Sequence, residues 1–411
     1  MRKKKLKIAF FHLAFVYSGG GERLVLQEME GLRKRGHQVV CYTPFLDKKK
    51  CYPDLISKDD IRLIVPQWLA NFLPRFSLTI ILSFFWLLLK LGEFRKYDVF
   101  VGANQPGPLY CWLITRILKK PYLVYLAQPT RILYPRGVDR EVGLRLKGKF
   151  LLLPFLSKIF QPLVIWMDRV SIQKAKKMLV NGSYMLGILK QIYGRDGVNC
   201  PAGSFVISKK IVNKWQGSVK ITNVRVRRPF IFMSNRHFPQ KKLEWMIDVF
   251  ILVAKRFKGL SLAISGTETK HSSLLKKKVA SMNLGKRVFF LGLVKDRDLA
   301  KLYKTAAVYV YSAPEEDFGM GLVEAMGSRT AVVAWNYAGP TSTVISGKTG
   351  ILVEPYKIKK FAQAIKKLIL NRQKNKLMAK QAAIHVKKNF TIKKHIDILE
   401  NSIKKANQQI G

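Results

Sequence analysis

Short apolar runs alternate with amphipathic stretches along most of this chain. Residues 7–15 form an apolar run after a basic start, and Ser18-Gly19-Gly20-Gly21-Glu22-Arg23 follows it. Leu24, Val25, Met29 and Leu32 then recur at helical spacing, Gly36 ends that pattern, and 38–43 is a new apolar run. A glycine after helical spacing and β-branched residues after the glycine predict strand, turn, helix, strand. Further short buried strands are predicted at 98–102, 121–126 and 179–181. A polar, basic stretch at 208–228 separates this half from a second one. There, strands are predicted at 230–233, 260–265, 288–291, 306–311 and 331–335, with helices at 243–257 and 298–304. Trp245, Met246, Val249, Phe250 and Val253 share one side of the first of these helices. Residues 359–409 read as basic helices. Strands alternating with helices predict an α/β protein with parallel, doubly wound sheets. The expectation is two such domains, 1–205 and 206–390, facing a cleft, with 391–411 a C-terminal helix returning to the first.

Two segments break the alternation. Residues 76–89 are an uncharged, mostly apolar run of 14, and 150–167 are apolar apart from Ser157, Lys158 and Gln161. A spanning helix needs about 20 apolar residues, so an interfacial segment flanked by Lys and Arg and a buried core helix both remain open. If 76–89 is helical, Ile81, Phe85 and Leu88 fall on one face.

Composition narrows the class. At 411 residues with 48% hydrophobic residues, the chain has enough apolar side chains for about two cored domains. Cys41, Cys51, Cys111 and Cys200 are scattered without a metal-ligand or disulfide spacing, so a reduced compartment is expected. The net charge of +49 favours anionic partners: a phosphate-rich ligand, an anionic membrane surface or nucleic acid. No helix-turn-helix, zinc-finger or RNA-binding aromatic signature appears, so no specific nucleic-acid partner is expected. The basic start and apolar run could also be read as a signal peptide, but the glycine turn and amphipathic helix that follow favour a strand.

The candidate chemistry is phosphate and hydroxyl binding. Glu316 and Glu324 stand eight positions apart around Phe318, Gly319 and Met320. That places Glu316 on a loop after a strand and Glu324 in the first turns of a helix. Ligands bind at strand carboxyl ends in open α/β sheets, and helix N-termini attract anions. The basic loop Asn235-Arg236-His237-Phe238-Pro239-Gln240-Lys241-Lys242 follows the strand opening the second half. Its Arg and Lys offer a planar fork and a point charge to phosphate oxygens. The glycine turn after the first strand is a third, weaker phosphate signal.

Together these residues resemble the retaining glycosyltransferases of GT-B type, family 4-like, whose second domain carries Glu, seven residues, Glu. Glu316-Asp317-Phe318-Gly319 and Glu324-Ala325-Met326 match that motif in one register only, since Glu315 pairs with Val323. Gly292-Leu293-Val294 and Ala338-Gly339-Pro340 also sit where the family places them. Gly20-Gly21-Glu22-Arg23-Leu24-Val25, Gly36-His37 and Ser234-Asn235-Arg236 look similar to the mannosyltransferases of the dolichol-linked oligosaccharide pathway.

The resemblance implies two Rossmann-like domains, the first for the acceptor and the second for a nucleotide-sugar donor. It implies transfer of a hexose, mannose from GDP-mannose first and UDP-sugars second, to a lipid-linked sugar or glycolipid. The protein would then act peripherally at the cytoplasmic face of a membrane. Arg236 and Lys241 would bind the donor diphosphate, with Lys242 the alternative. Glu316 would hold sugar hydroxyls and Glu324 the ribose. Backbone at Phe318, Gly319 and Met320 would meet sugar and phosphate, Val294 the nucleobase, and Gly20 and Gly21 the diphosphate. No metal or other cofactor is implied. In Ala127-Gln128-Pro129-Thr130-Arg131 an alanine stands where relatives commonly have a histidine near the reaction centre. That departure also fits a catalytically weakened relative acting as a binding or partner subunit.

Overall fold

The structure, a computed structural model, describes residues 5–57, 60–72, 76–143, 152–205, 208 and 212–408. The chain divides into two compact units. One gathers Met1–Pro135, Leu144–Ala202 and Ile392–Gly411; the other gathers Arg136–Gly143 and Gly203–Thr391. The segment Arg136–Gly143 therefore groups with the second unit, although its neighbours on both sides in sequence belong to the first.

The first unit is built on a seven-stranded sheet in the order Ile61–Leu63, Gln38–Thr43, Lys7–His12, Val99–Ala103, Tyr122–Leu126, Lys177–Val180, Val198–Asn199. Every pairing in it is parallel. The strand order reverses between Lys7–His12 and Val99–Ala103, which makes their carboxyl ends the switch point of the sheet. The opening strand is shorter than the apolar run predicts. It ends at His12, and Ala14–Phe15 pairs separately with Phe45–Leu46. The apolar face of helix Gly20–Lys34 is buried through Leu24, Val25, Met29 and Leu32. Phe11, Tyr42, Phe94 and Phe100 form an aromatic centre, with the Phe11 and Tyr42 rings stacked at 5.5 Å.

The last helix, Ile392–Gln408, packs on Gly20–Lys34 in this unit. Gly31 makes the contact possible, because a Cβ there would lie 2.6 Å from Ile396. His395 donates to Glu28 Oε1 at 2.9 Å, both side chains fully buried. Burial opposes the imidazolium charge, but Cys200 and Glu28 override it and push His395 up to about 10. Arg35 adds two 2.6 Å ion pairs, to Asp397 and Glu400.

The second unit holds a six-stranded sheet in the order Val288–Phe290, Ser261–Ser265, Phe230–Ser234, Val308–Tyr311, Val332–Trp335, Ile351–Val353, again parallel throughout. Its switch point lies between Phe230–Ser234 and Val308–Tyr311. Helix Leu243–Ala254 buries Met246, Val249, Phe250 and Val253, with Trp245 partly buried. The stretch read as a basic linker contains an antiparallel hairpin, Ser218–Ile221 with Val224–Arg227. Lys220, Arg225 and Arg227 alternate there with Val and Ile, a strand pattern only four residues long on each side. The basic C-terminal stretch resolves into Ile358–Leu370, Arg372–Asn389 and Ile392–Gln408.

Candidate functional site

Arg236, Lys241, Lys242 and Glu316 to Met320 lie at the switch point of the second sheet, and Gly20, Gly21 and Val294 lie elsewhere. Strand Phe230–Ser234 runs into the loop carrying Arg236, His237, Lys241 and Lys242, and strand Val308–Tyr311 runs into the loop carrying Glu315 to Gly319. Both loops leave carboxyl ends of adjacent parallel strands, where an open α/β sheet leaves a crevice for a ligand. Lys241 and Glu316 join them: Nζ lies 2.6 Å from Oε2, with the two side chains 20% and 15% exposed. Burial would raise the Glu316 carboxyl, but Lys241, with Arg136 and the Tyr311 hydroxyl, holds it down to about 2. An ionised carboxylate and an ammonium thus stand side by side in a partly dry place, where each interaction is stronger than in water.

The backbone around them is fixed. His237 is buried, its ring in hydrogen-bond contact with the Ser272 hydroxyl at 3.0 Å, and its backbone N–H donates to Thr267 O. The Ser312 hydroxyl donates to Lys241 O, and Trp335 Nε1 donates to Ser312 O at 2.9 Å. Gly339 N–H donates to Glu316 O at 2.6 Å. A Cβ at Gly339 would lie 2.4 Å from the Asp317 and Phe318 backbone, so only glycine permits that approach.

The helix Met320–Gly327 begins here. Gly319 forms its N-cap at φ +85°, and no side chain caps the first turn. Phe318 points into the core, edge-on to Phe390 at 5.8 Å. At Gly321 a Cβ would lie 2.1 Å from the Tyr309 hydroxyl. Glu324 is buried and accepts from the Tyr303 hydroxyl at 2.6 Å. Tyr303, Ser234 and Tyr309 continue this chain of hydroxyls at 2.7 and 3.0 Å. Arg236 lies with its guanidinium 5.1 Å from the Phe238 ring. Val294 is half-buried in the loop after Val288–Phe290, whose Gly292 O accepts from Gly266 N–H. Lys242, at φ +46°, turns toward Glu141 with 2.5 Å between Nζ and Oε1.

Gly20 and Gly21 belong to the first unit, in the first turn of helix Gly20–Lys34. Beside that turn His12 Nδ1 lies 3.2 Å from Ala103 O, and the buried Glu22 carboxylate lies 3.9 Å from His12 Nε2. Ala127 follows strand Tyr122–Leu126, with its N–H on Asn104 Oδ1, and Gln128 is exposed beside it.

Sequence reasoning missed the clasp on the glutamate loop. Glu315 has φ +49°, and its carboxylate accepts from Val138 N–H at 2.7 Å and Gly137 N–H at 3.3 Å. The Arg136 guanidinium grips Asp139 at 3.0 and 3.2 Å, donates to Glu315 O at 2.5 Å, and lies 3.7 Å from Asp317. The Arg136–Asp139 spacing was readable as an i,i+3 pair, but its docking on residues nearly 180 positions later was not.

Comparison with known proteins adds the following. Residues 18–199 match the family described as Glycosyltransferase Family 4, and residues 218–385 match Glycosyl transferases group 1. The alpha-1,3/1,6-mannosyltransferase ALG2 of Rhizomucor pusillus is 25% identical over 97% of this chain and 92% of its own length. ALG2 of Homo sapiens is 23% identical over 91% of this chain and 90% of its own. Among solved structures, Anabaena HepE in complex with UDP and glucose superposes with a TM-score of 0.71 at 16% identity, covering 97% of this chain and 99% of that one.

Proposed function

Because the chain belongs to the GT-B glycosyltransferases that join a family 4 domain to a group 1 domain, we propose that it transfers mannose from GDP-mannose to a lipid-linked sugar at a membrane face, with retention of anomeric configuration. The observation that carries the site is the Lys241–Glu316 pair bridging the two switch-point loops. Similarity to alpha-1,3/1,6-mannosyltransferases over nearly the whole chain supports the sugar.

In this reading Arg236 and Lys241 neutralise the diphosphate as it leaves, placing positive charge where negative charge develops. Their cations serve where other enzymes use a metal ion, so no metal is required. Glu316 orients the donor sugar through its hydroxyls. The uncapped first turn at Gly319 and Met320 offers N–H groups to the phosphate and sugar. Glu324 holds the ribose, exchanging its bond to Tyr303 for the sugar hydroxyls, and backbone at Val294 meets the base. A departing phosphate oxygen accepts the acceptor hydroxyl's proton. The enzyme works peripherally at the cytoplasmic membrane face.

Thermal shift with GDP, UDP and their sugars tests the donor, since a ligand of the native state raises its stability. GDP and GDP-mannose should give the largest shifts, and a UDP-sugar giving the larger one would reverse that choice. Arg236→Ala and Lys241→Ala should each lower turnover about 10- to 100-fold, the value of a charge-assisted hydrogen bond of about 1.5–3 kcal/mol. Near-parental turnover in the double variant would remove both from the mechanism. Ala127 favours one second reading, a binding subunit without turnover. Nucleotide binding by calorimetry with no transfer to any lipid acceptor would select it.

A further inference from the structure

Helix Phe76–Leu89 is apolar on both sides. Its inward side carries Thr79, Ser83 and Leu87, all buried, with Phe84 and Trp86 partly buried against the core, and Ser83 hydrogen-bonds the Tyr110 hydroxyl. Its outward side carries Leu78, Ile81, Phe85, Leu88 and Leu89, with Ile81 65% and Phe85 58% exposed. Single exposed apolar residues are ordinary, but this is a continuous stripe at helical spacing with hydroxyls turned to the core. Helix Gly107–Leu118 packs against this helix and against Leu152–Gln173, and both neighbours extend the pattern. The first exposes Ile117; the second exposes Phe160, Leu163, Val164 and Trp166. Trp166 meets Trp112 edge-on at 6.2 Å, which fixes the two helices side by side.

Building on the membrane-facing acceptor proposed above, we infer that these three helices form a face that beds into the surface of an anionic bilayer. Charge selects this occupant. The three helices carry a single acid, Asp168, and it is buried. Arg116, Lys119 and Arg169 stand exposed beside the apolar positions. A second copy of a chain with net charge +49 brings like charge to the contact, whereas an anionic lipid surface is attracted to it. Among the described residues no helix is long and apolar enough to cross a membrane. An apolar stripe edged by Lys and Arg suits helices lying in the interface plane, and Trp166 suits the headgroup boundary.

Flotation of the full chain with vesicles tests this. It should float with phosphatidylcholine–phosphatidylserine vesicles and much less with phosphatidylcholine alone. The triple variant Ile81→Ser, Phe85→Ser, Leu88→Ser should lower the partition coefficient about a hundred-fold, from lost apolar burial. Leu163→Ser with Val164→Ser should lower it about ten-fold by the same rule. The thermal midpoint and sugar transfer to a soluble acceptor should remain at parental levels. Undiminished flotation of both variants overturns the proposal. So does a fall in thermal midpoint, which would place the stripe in the core, or a dimer that the substitutions dissolve. Flotation without any sugar transfer by the parent chain would instead overturn the transferase reading and leave this face standing.

Discussion

Two helices of nearly equal apolar content are used in opposite ways. Leu243–Ala254 in the second unit turns Leu243, Met246, Ile247, Phe250 and Val253 into the core beneath its sheet. Phe76–Leu89 in the first unit turns Leu87 inward with two hydroxyls and leaves Ile81, Phe85 and Leu88 outside. The first carries Glu244 and Asp248 to mark its solvent side; the second carries no charge at all. A charged residue on one face tells a helix where water is. Without one, apolar content fixes that a surface must be covered but not what covers it. The same contrast separates the units: the second gathers charge around a site, while the first displays an apolar face.

The largest effect that would break this comparison is a matched pair of truncations. Phe250→Ala should destabilise the chain by about 3–5 kcal/mol through the cavity it leaves, and Phe85→Ala should stay within about 0.5 kcal/mol. Denaturant melts giving equal losses would show that the Phe76–Leu89 stripe is core after all. A smaller effect concerns pH, and the two units differ in sign. The Glu316 carboxyl titrates near 2 instead of its ordinary 4.5. Its contribution is complete above 4.5 and is lost as pH falls toward 2. His395 titrates near 10 instead of 6.5, so its contribution is complete below 6.5 and is lost as pH rises through 10. Glu316→Gln should flatten the acid limb of stability, and His395→Gln the alkaline limb, each by about 1.5–3 kcal/mol. Stability profiles in which the two variants flatten the same limb would contradict the assignment. The smallest effect sharpens the site. Arg136→Ala should lower kcat about five-fold, near 1 kcal/mol, with the donor KM little changed. Arg136→Lys should restore part of that loss, and a change confined to KM would make Arg136 a donor contact instead of a support for the glutamate loop.

Most of the strands follow from patterns that local sequence carries well. Buried parallel strands are short apolar runs, and the glycines after them mark loops whose backbones approach closely, as at Gly339 and Gly266. The position of Glu316, Arg236 and Lys241 on strand-end loops was legible from the apolar runs that precede them. The hairpin 218–227 shows in sequence only as two four-residue alternations of Val or Ile with Lys or Arg, too short to stand out within a basic stretch. Glu315 was set aside because Val323 cannot complete a motif with it, yet its carboxylate holds Gly137 and Val138.

By itself, then, the sequence determined the alternation of strands and helices, the loops that carry charge, and the apolar runs that must find cover, since each depends on neighbours within a few residues. Tertiary structure alone decided that Lys241 meets Glu316, that residues 136–143 clasp the glutamate loop, that His395 lies on Glu28, and which side of Phe76–Leu89 faces out. Those are contacts between residues tens to hundreds of positions apart, and their geometry is set by how the sheets and helices pack, which no local pattern encodes.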